Sequence, residues 1–307
     1  MRAVLKTLVA ATLLAIGATA VQAAPAVLDT GSVRMGISDF AGLGEAGVGL
    51  VGPTGDAITP GCLCEGWGAS AGGSAGYTYG GSRTGMVSGT TTATVLSGSS
   101  LAAASVVSMS NGLEVTHTYS YAAGGLLFKV HVAMANTTAG SLSDVRYART
   151  LDWDVPPGHF SDDFTTVRFS ALGGKLFSTS TNPFAVPDPL VTRTQDKDIN
   201  ITDTPGDKGS FFIFKFGDLA AGEKTEFDTY IGAAGTTKEL VDALNGVGAE
   251  AYSYTFDNDT PATYGYGFVG IGLPPVEPPT GVPEPGTLAL ASLALLGMGG
   301  MRRRKSA

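Results

Sequence analysis

Asp152-Trp153-Asp154, followed by Asp162-Asp163, holds the residues best suited to acid–base chemistry. Residues i and i+2 of a strand share a face, so Asp152 and Asp154 are expected to project together. Two carboxyls at the right separation can act as acid and as base or nucleophile in glycoside cleavage. An indole beside them could stack on a sugar ring. Alternation argues against that last role, because Trp153 falls on the apolar side of its own strand, opposite both aspartates. A solvated acidic strand end is the plainer reading, and Asp152 and Asp154 stand as catalytic candidates only.

The stretch "DKDINITDTPGD" sets Asp196, Asp198 and Asn200 at positions 1, 3 and 5 of a calcium-loop pattern, with Asp207 at position 12. Position 6 of that pattern demands glycine and here is Ile201, and Pro205 sits at position 10. The helix-loop-helix site is therefore rejected, leaving irregular calcium binding or a solvated turn. Asp257-Asn258-Asp259 is a similar case. Cys62 and Cys64 are the chain's two cysteines. On a straight strand their Cα atoms would lie about 6.6 Å apart, at the edge of bridging geometry, and a glycine-rich turn could close the gap. A small-loop disulfide is the favoured reading; free or interchain-paired thiols and a metal site are the alternatives. A structural zinc wants four ligands, and His117, His131 and His159 could reach the cysteines only through the fold. No Gly-x-Ser-x-Gly elbow, His-Glu-x-x-His pair or phosphate loop is present.

The whole-chain balance narrows the partners. The chain of 307 residues has 19 basic and 27 acidic residues and 44 glycines. Setting aside Arg2, Lys6, Arg302, Arg303, Arg304, Lys305 and Glu284 leaves 13 basic against 26 acidic residues, a body charge of −13. Such a body has no electrostatic grip on phosphate backbones, so nucleic acid is not an expected partner. Arg2 and Lys6 precede the apolar run "TLVAATLLAIGATAV", and small residues close it at "VQA". That pattern reads as a secretory signal at 1–23, cut by signal peptidase between Ala23 and Ala24, with the rest folding in an oxidising compartment.

The other end carries a second address. Gly286 to Met301 is 16 residues without charge, about 24 Å as a helix against a hydrocarbon core of about 30 Å. Such a helix can span if the bilayer thins and the flanking arginines snorkel. Arg302, Arg303 and Arg304 would lie in the cytoplasm, and Val282-Pro283-Glu284-Pro285 at the outer interface, extended and open to a protease. This order of Pro-Glu-Pro element, short apolar span and arginine cluster resembles the PEP-CTERM sorting signal of Gram-negative bacteria. Tails of this type are also called ice-binding-protein C-terminal domains, a name that implies no ice binding. The resemblance implies an exosortase-like membrane protease as partner, transient anchoring in the inner membrane, and release to the cell surface or exterior in organisms that make exopolysaccharide and biofilm. It covers residues 282–307 and says nothing of the body.

The elements that must position any chemistry are strands. "GLEVTHTYSY" and "FKVHVAM" alternate strictly, with a turn at 122–125, and are expected to pair as a hairpin. "VRYARTLDWDV" sets Val145, Tyr147, Leu151, Trp153 and Val155 on one side, with Arg149 interrupting that face. Further strands are expected near 90–96, 105–109, 166–169, 211–216, 226–232, 251–256 and 264–271. One helix is expected, capped by Thr236 with Glu239 and striped by Leu240, Val241 and Leu244. The reading is all-β: a large antiparallel β-sandwich over 24–271 with one short helix, a signal helix before it, a proline-rich spacer at 272–281, and a C-terminal transmembrane helix. "GCLCEGWG", "RYARTLDWDV" and "YIGAAGTTKELVDALNGVGAEAYSY" are similar to stretches of uncharacterised exported bacterial proteins, which adds no functional residue. The expected function is a non-enzymatic surface or matrix protein, structural or associated with exopolysaccharide. The alternative is a secreted carbohydrate-active enzyme using the Asp152 and Asp154 carboxyls. No cofactor is expected beyond the calcium reading of the 196–207 loop.

Overall fold

The computed structural model describes residues 25–95, 101–158, 160, 162–169, 174–191, 201–202 and 205–276. The expected signal helix, the transmembrane helix and their flanks lie outside these residues. No helix among the described residues is long and apolar enough to cross a membrane. In chain order the strands are β1 (Ala26–Asp29), β2 (Arg34–Ile37), β3 (Leu50–Val51), β4 (Glu65–Ala71), β5 (Ser74–Tyr79), β6 (Ser82–Thr84), β7 (Met86–Val95), β8 (Leu101–Met109) and β9 (Leu113–Tyr121). They continue as β10 (Leu127–Asn136), β11 (Leu142–Asp152), β12 (Asp163–Phe169), β13 (Leu176–Ser180), β14 (Ile201–Thr202), β15 (Gly209–Leu219), β16 (Lys224–Ala234), β17 (Ala251–Asp257) and β18 (Thr263–Val269). The one helix among the described residues, α1, is Thr237–Gly246.

These strands form antiparallel sheets. Nine run in the order β14-β12-β17-β18-β16-β10-β9-β8-β7, six in the order β13-β15-β11-β4-β5-β6, and β1-β2-β3 make a small third sheet. The β9–β10 hairpin has the expected register, with Val130 opposite Tyr119 and Val132 opposite His117. Its alternation has a direct cause: Leu113, Val115, His117 and Tyr119, with Phe128, Val130, Val132 and Met134, all point into one core. The facing six-stranded sheet supplies Trp67, Tyr147, Phe212 and Phe214 to that core. Ring contacts stitch the two layers, Tyr147 edge-on to Phe227 at 5.0 Å and Phe212 edge-on to Tyr266 at 5.5 Å. Helix α1 covers part of the outer face of the large sheet through Leu240, Val241 and Leu244. The Thr236 hydroxyl accepts the Glu239 amide at its start.

Arg149 is the break in the apolar pattern of β11, and the structure supplies its reason. It is wholly buried and pairs with the Glu65 carboxylate at the start of β4, itself buried. The register makes the meeting possible: Leu151 lies opposite Glu65 and Arg149 opposite Trp67. The other Glu65 oxygen accepts the Leu43 amide at 2.7 Å. Burial raises the Glu65 carboxyl, while Arg149 and the Leu43 amide oppose that rise. An arginine keeps its proton in a protein, so Arg149 brings a buried positive charge against which the Glu65 carboxyl is set. Around it, His117 Nε2 and the Tyr147 hydroxyl meet across the two sheets at 3.1 Å. The Trp67 indole N–H donates to the Phe40 carbonyl, and burial, with Arg149 nearby, holds His117 neutral.

The body's packing runs past Ile271. Glu250 accepts the amides of Gly270, Ile271 and Leu273, and Leu273 and Val276 are buried against the two clusters. The first half of the stretch expected as a spacer is thus docked on the body.

Removing one partner of a buried ion pair leaves the other charge stranded. Arg149→Met is expected to cost about 3–5 kcal/mol in urea unfolding. The Glu65→Leu/Arg149→Met double variant should lose less than Arg149→Met alone. A double loss equal to the sum of the two single losses would contradict the coupling.

Candidate functional site

Three residues beyond Arg149 on β11 the chain reaches a second buried group of charges. Asp152 closes β11, and its amide donates to the Cys64 carbonyl at 3.1 Å. Asp154 follows, its amide held by the Ala57 carbonyl at 2.9 Å. These two bonds tie the acidic segment to the loop before β4, where Cys62 and Cys64 form a disulfide with Cα atoms 5.1 Å apart. Gly61 enters that turn at φ +65°, and a side chain there would run into Phe160. The Asp152 Oδ2 lies 3.8 Å from the Cys62 sulfur. A disulfide sulfur has no proton to give, so this is a packing contact.

Other elements bring more acid to the same end. Asp163 opens β12 and stands opposite Asp257, the last residue of β17. Asp163 Oδ2 accepts the Val155 amide at 3.4 Å, and its main-chain carbonyl accepts the Gly206 amide. That second bond draws the 205–208 segment across the end of the sheets and delivers Asp207. One carboxylate oxygen each from Asp152, Asp154 and Asp207 lies within 4.8 Å of the others. Gly158 closes the rim: a Cβ there would fall 1.9 Å from Asp257 Oδ2, so only glycine fits.

The exposures of Asp152, Asp154, Asp163 and Asp257 are 3, 2, 1 and 1 %; Asp207 is exposed. Burial raises the Asp152 carboxyl to about 7, helped by the Asp207 charge. Burial, then Asp152 and Asp207, raise Asp154 to about 8. Asp163 is pushed up to about 9 by burial and then by Asp257, Asp154 and Asp152, against the pull of the Val155 amide. Burial raises Asp207 as well. The charge acting on Asp152 is itself a carboxylate, that of Asp207.

The structure therefore brings Asp152 and Asp154 together, but not as a solvated strand end; both are inside. Trp153 is fully buried against Tyr264 and Tyr266, on the core side. Asp207, position 12 of the calcium-loop pattern, lies beside Asp152 and Asp154. Asp196, Asp198, Asn200 and His159 lie outside the described residues, as do Ala23, Ala24, Val282, Pro283, Glu284, Pro285, Arg302, Arg303 and Arg304. Of the other histidines, His117 is in the core beside Tyr147, and His131 pairs with Asp228 on the outer face. Neither approaches the disulfide group, whose carboxylate neighbour is Asp152. The convergence of "DWD", "SDDF", "DTPGD" and "DND" at one end was not readable from their separate positions.

Comparison with known proteins identifies the far end of the chain. Residues 281–305 match the PEP-CTERM protein-sorting motif. The match covers the tail alone and leaves the body without an assigned family. No curated protein matches the chain. The motif implies export, transient membrane anchoring through the tail and processing by an exosortase-like protease.

The raised carboxyls fix the sign of a pH effect. An acid whose folded pKa lies above its unfolded value favours folding while protonated, and that contribution is lost as pH rises from the unfolded value through the folded one. In buffer containing a chelator, thermal stability is expected to fall as pH rises from about 4 and to level off by about 9. Asp163→Asn should flatten that slope. A melting temperature that climbs across the same window would contradict the assignment.

Proposed function

We propose that this chain is an exported, non-enzymatic protein of the cell surface or extracellular matrix, delivered by its tail and associated with exopolysaccharide. The observation that carries the reading is the sorting motif at 281–305. Signal peptidase removes 1–23, the body crosses the inner membrane of a Gram-negative cell and folds outside, and the apolar span 286–301 holds it there. An exosortase-like enzyme then acts at Val282–Pro285. The body suits such a life. Its core is filled by its own aromatic side chains, and its disulfide belongs to an oxidising compartment.

The enzyme reading draws support from the closeness and raised carboxyls of Asp152 and Asp154. Against it stands their burial. A sugar ring must touch both the acid and its partner, and neither carboxyl is more than 3 % exposed. The matrix role therefore fits better.

Replacing Pro283, Glu284 and Pro285 by alanine in the host is expected to leave the tail on the protein. Mass spectrometry of the mature C-terminus reads this directly, and a terminus unchanged from the parent would overturn exosortase processing. Asp152→Asn and Asp154→Asn are expected to leave any turnover of the host's exopolysaccharide by the purified protein unaltered. Loss of such turnover in both variants would favour the enzyme.

A further inference from the structure

The acidic end of the body gathers carboxylates from five separate segments. Asp152 comes from β11, Asp154 from the segment after it, Asp163 from β12, Asp257 from β17 and Asp207 from the loop before β15. The cluster also shows buried oxygens left over. Asp152 Oδ1, Asp163 Oδ1 and Asp257 Oδ2 have no hydrogen-bond partner among the described residues, and all three side chains are at least nine-tenths buried. The fold commits the second oxygen of Asp163 to the Val155 amide and the second oxygen of Asp257 to the Asp259 amide. A buried carboxylate oxygen without a donor is costly, and Asp152, which carries one, is also one of three carboxylates gathered within ligand distance of one another.

We propose that Asp152, Asp154 and Asp207 bind one divalent cation of the calcium class at this end of the body, with Asp163 completing its acidic surround. Geometry supports the choice. Calcium takes oxygen ligands at about 2.3–2.6 Å, so two ligands of one ion lie at most about 5 Å apart. The three carboxylate oxygens fall within 4.8 Å of one another. All the donors are hard carboxylate oxygens, and the two cysteines are tied in a disulfide and cannot offer thiolates. This disfavours zinc or copper and suits calcium. The exposed Asp207 makes the entry, since it can swing from solvent onto an ion seated against the buried pair. The site lies away from the point where the chain leaves β18. Asp257 ends β17, while Glu250, which clamps the chain's exit at Gly270–Leu273, precedes its start, about 23 Å distant along the strand.

The site is independent of sorting, so either reading can fail alone. The test uses the full-length chain, stripped with a chelating resin and titrated with calcium chloride by calorimetry, with thermal unfolding in parallel. The parent should bind one calcium per chain and melt at higher temperature as calcium rises. Magnesium should require higher concentration. Asp207→Asn, at an exposed position that leaves the core intact, should weaken calcium binding by about tenfold or more, because affinity follows ligand charge count. Asp259→Asn, nearby but outside the ligand set, should bind like the parent. A folded parent that neither takes up calcium nor shifts its melting temperature overturns the proposal. So does an undiminished response in Asp207→Asn, or an equal loss in Asp259→Asn, which would mark diffuse attraction to an acidic surface.

Discussion

The cost of taking a charge out of water governs both polar centres of this body. Desolvating an ion costs several kcal/mol even after the protein relaxes, and only an opposite charge with well-placed donors offsets it. Strand β11 carries one solution at Arg149 and poses the problem again at Asp152, three residues on. At Arg149 the opposite charge is Glu65, delivered by the neighbouring strand and steadied by the Leu43 amide. At Asp152 the charge close by is the Asp207 carboxylate, of the same sign. The same physical rule that makes the first centre self-sufficient makes the second ask for a cation from outside.

The two centres also organise the fold. Glu65 and Arg149 lock β4 to β11 in the middle of the six-stranded sheet, and Tyr147, between them and β9, reaches His117 in the facing sheet. The acidic end gathers loops that sheet pairing alone would leave apart, through the bonds of Asp152 to Cys64, Asp154 to Ala57 and Asp163 to Gly206. At the opposite end Glu250 holds the outgoing chain with three amides, so that Val276 still packs on the body before the chain runs on to the sorting motif. The acidic end of the body thus lies away from the Gly270–Leu273 stretch that Glu250 holds.

Much of this was legible in the residues, and the exceptions have physical causes. The β9–β10 pair and helix α1 could be read because each has one buried face, which forces a period of two or a capped apolar stripe. Strand β4, "EGWGASA", was missed because every residue is buried on both sides and no alternation survives. Its small residues are there for close approach: a Cβ at Gly66 would sit 2.0 Å from the Thr78 carbonyl oxygen. Arg149 was visible as a break in pattern, but its partner was not, since pairing of β4 with β11 is a property of the fold. The carboxylate cluster was harder still. Each of its acids sits in a short polar phrase that reads as a turn, and only β12, β17 and the 205–208 segment bring them to Asp152. Trp153 was correctly placed in the core by alternation alone.

The most direct test of the account is native mass spectrometry of the protein secreted by its host, collected in calcium-containing medium without chelator. The account predicts a compact chain carrying one tightly held calcium ion, lost together with the compact charge-state distribution when the solution is acidified enough to protonate the cluster. A compact chain that carries no metal at neutral pH would contradict it, and would mean that these carboxyls keep their protons instead of recruiting a cation.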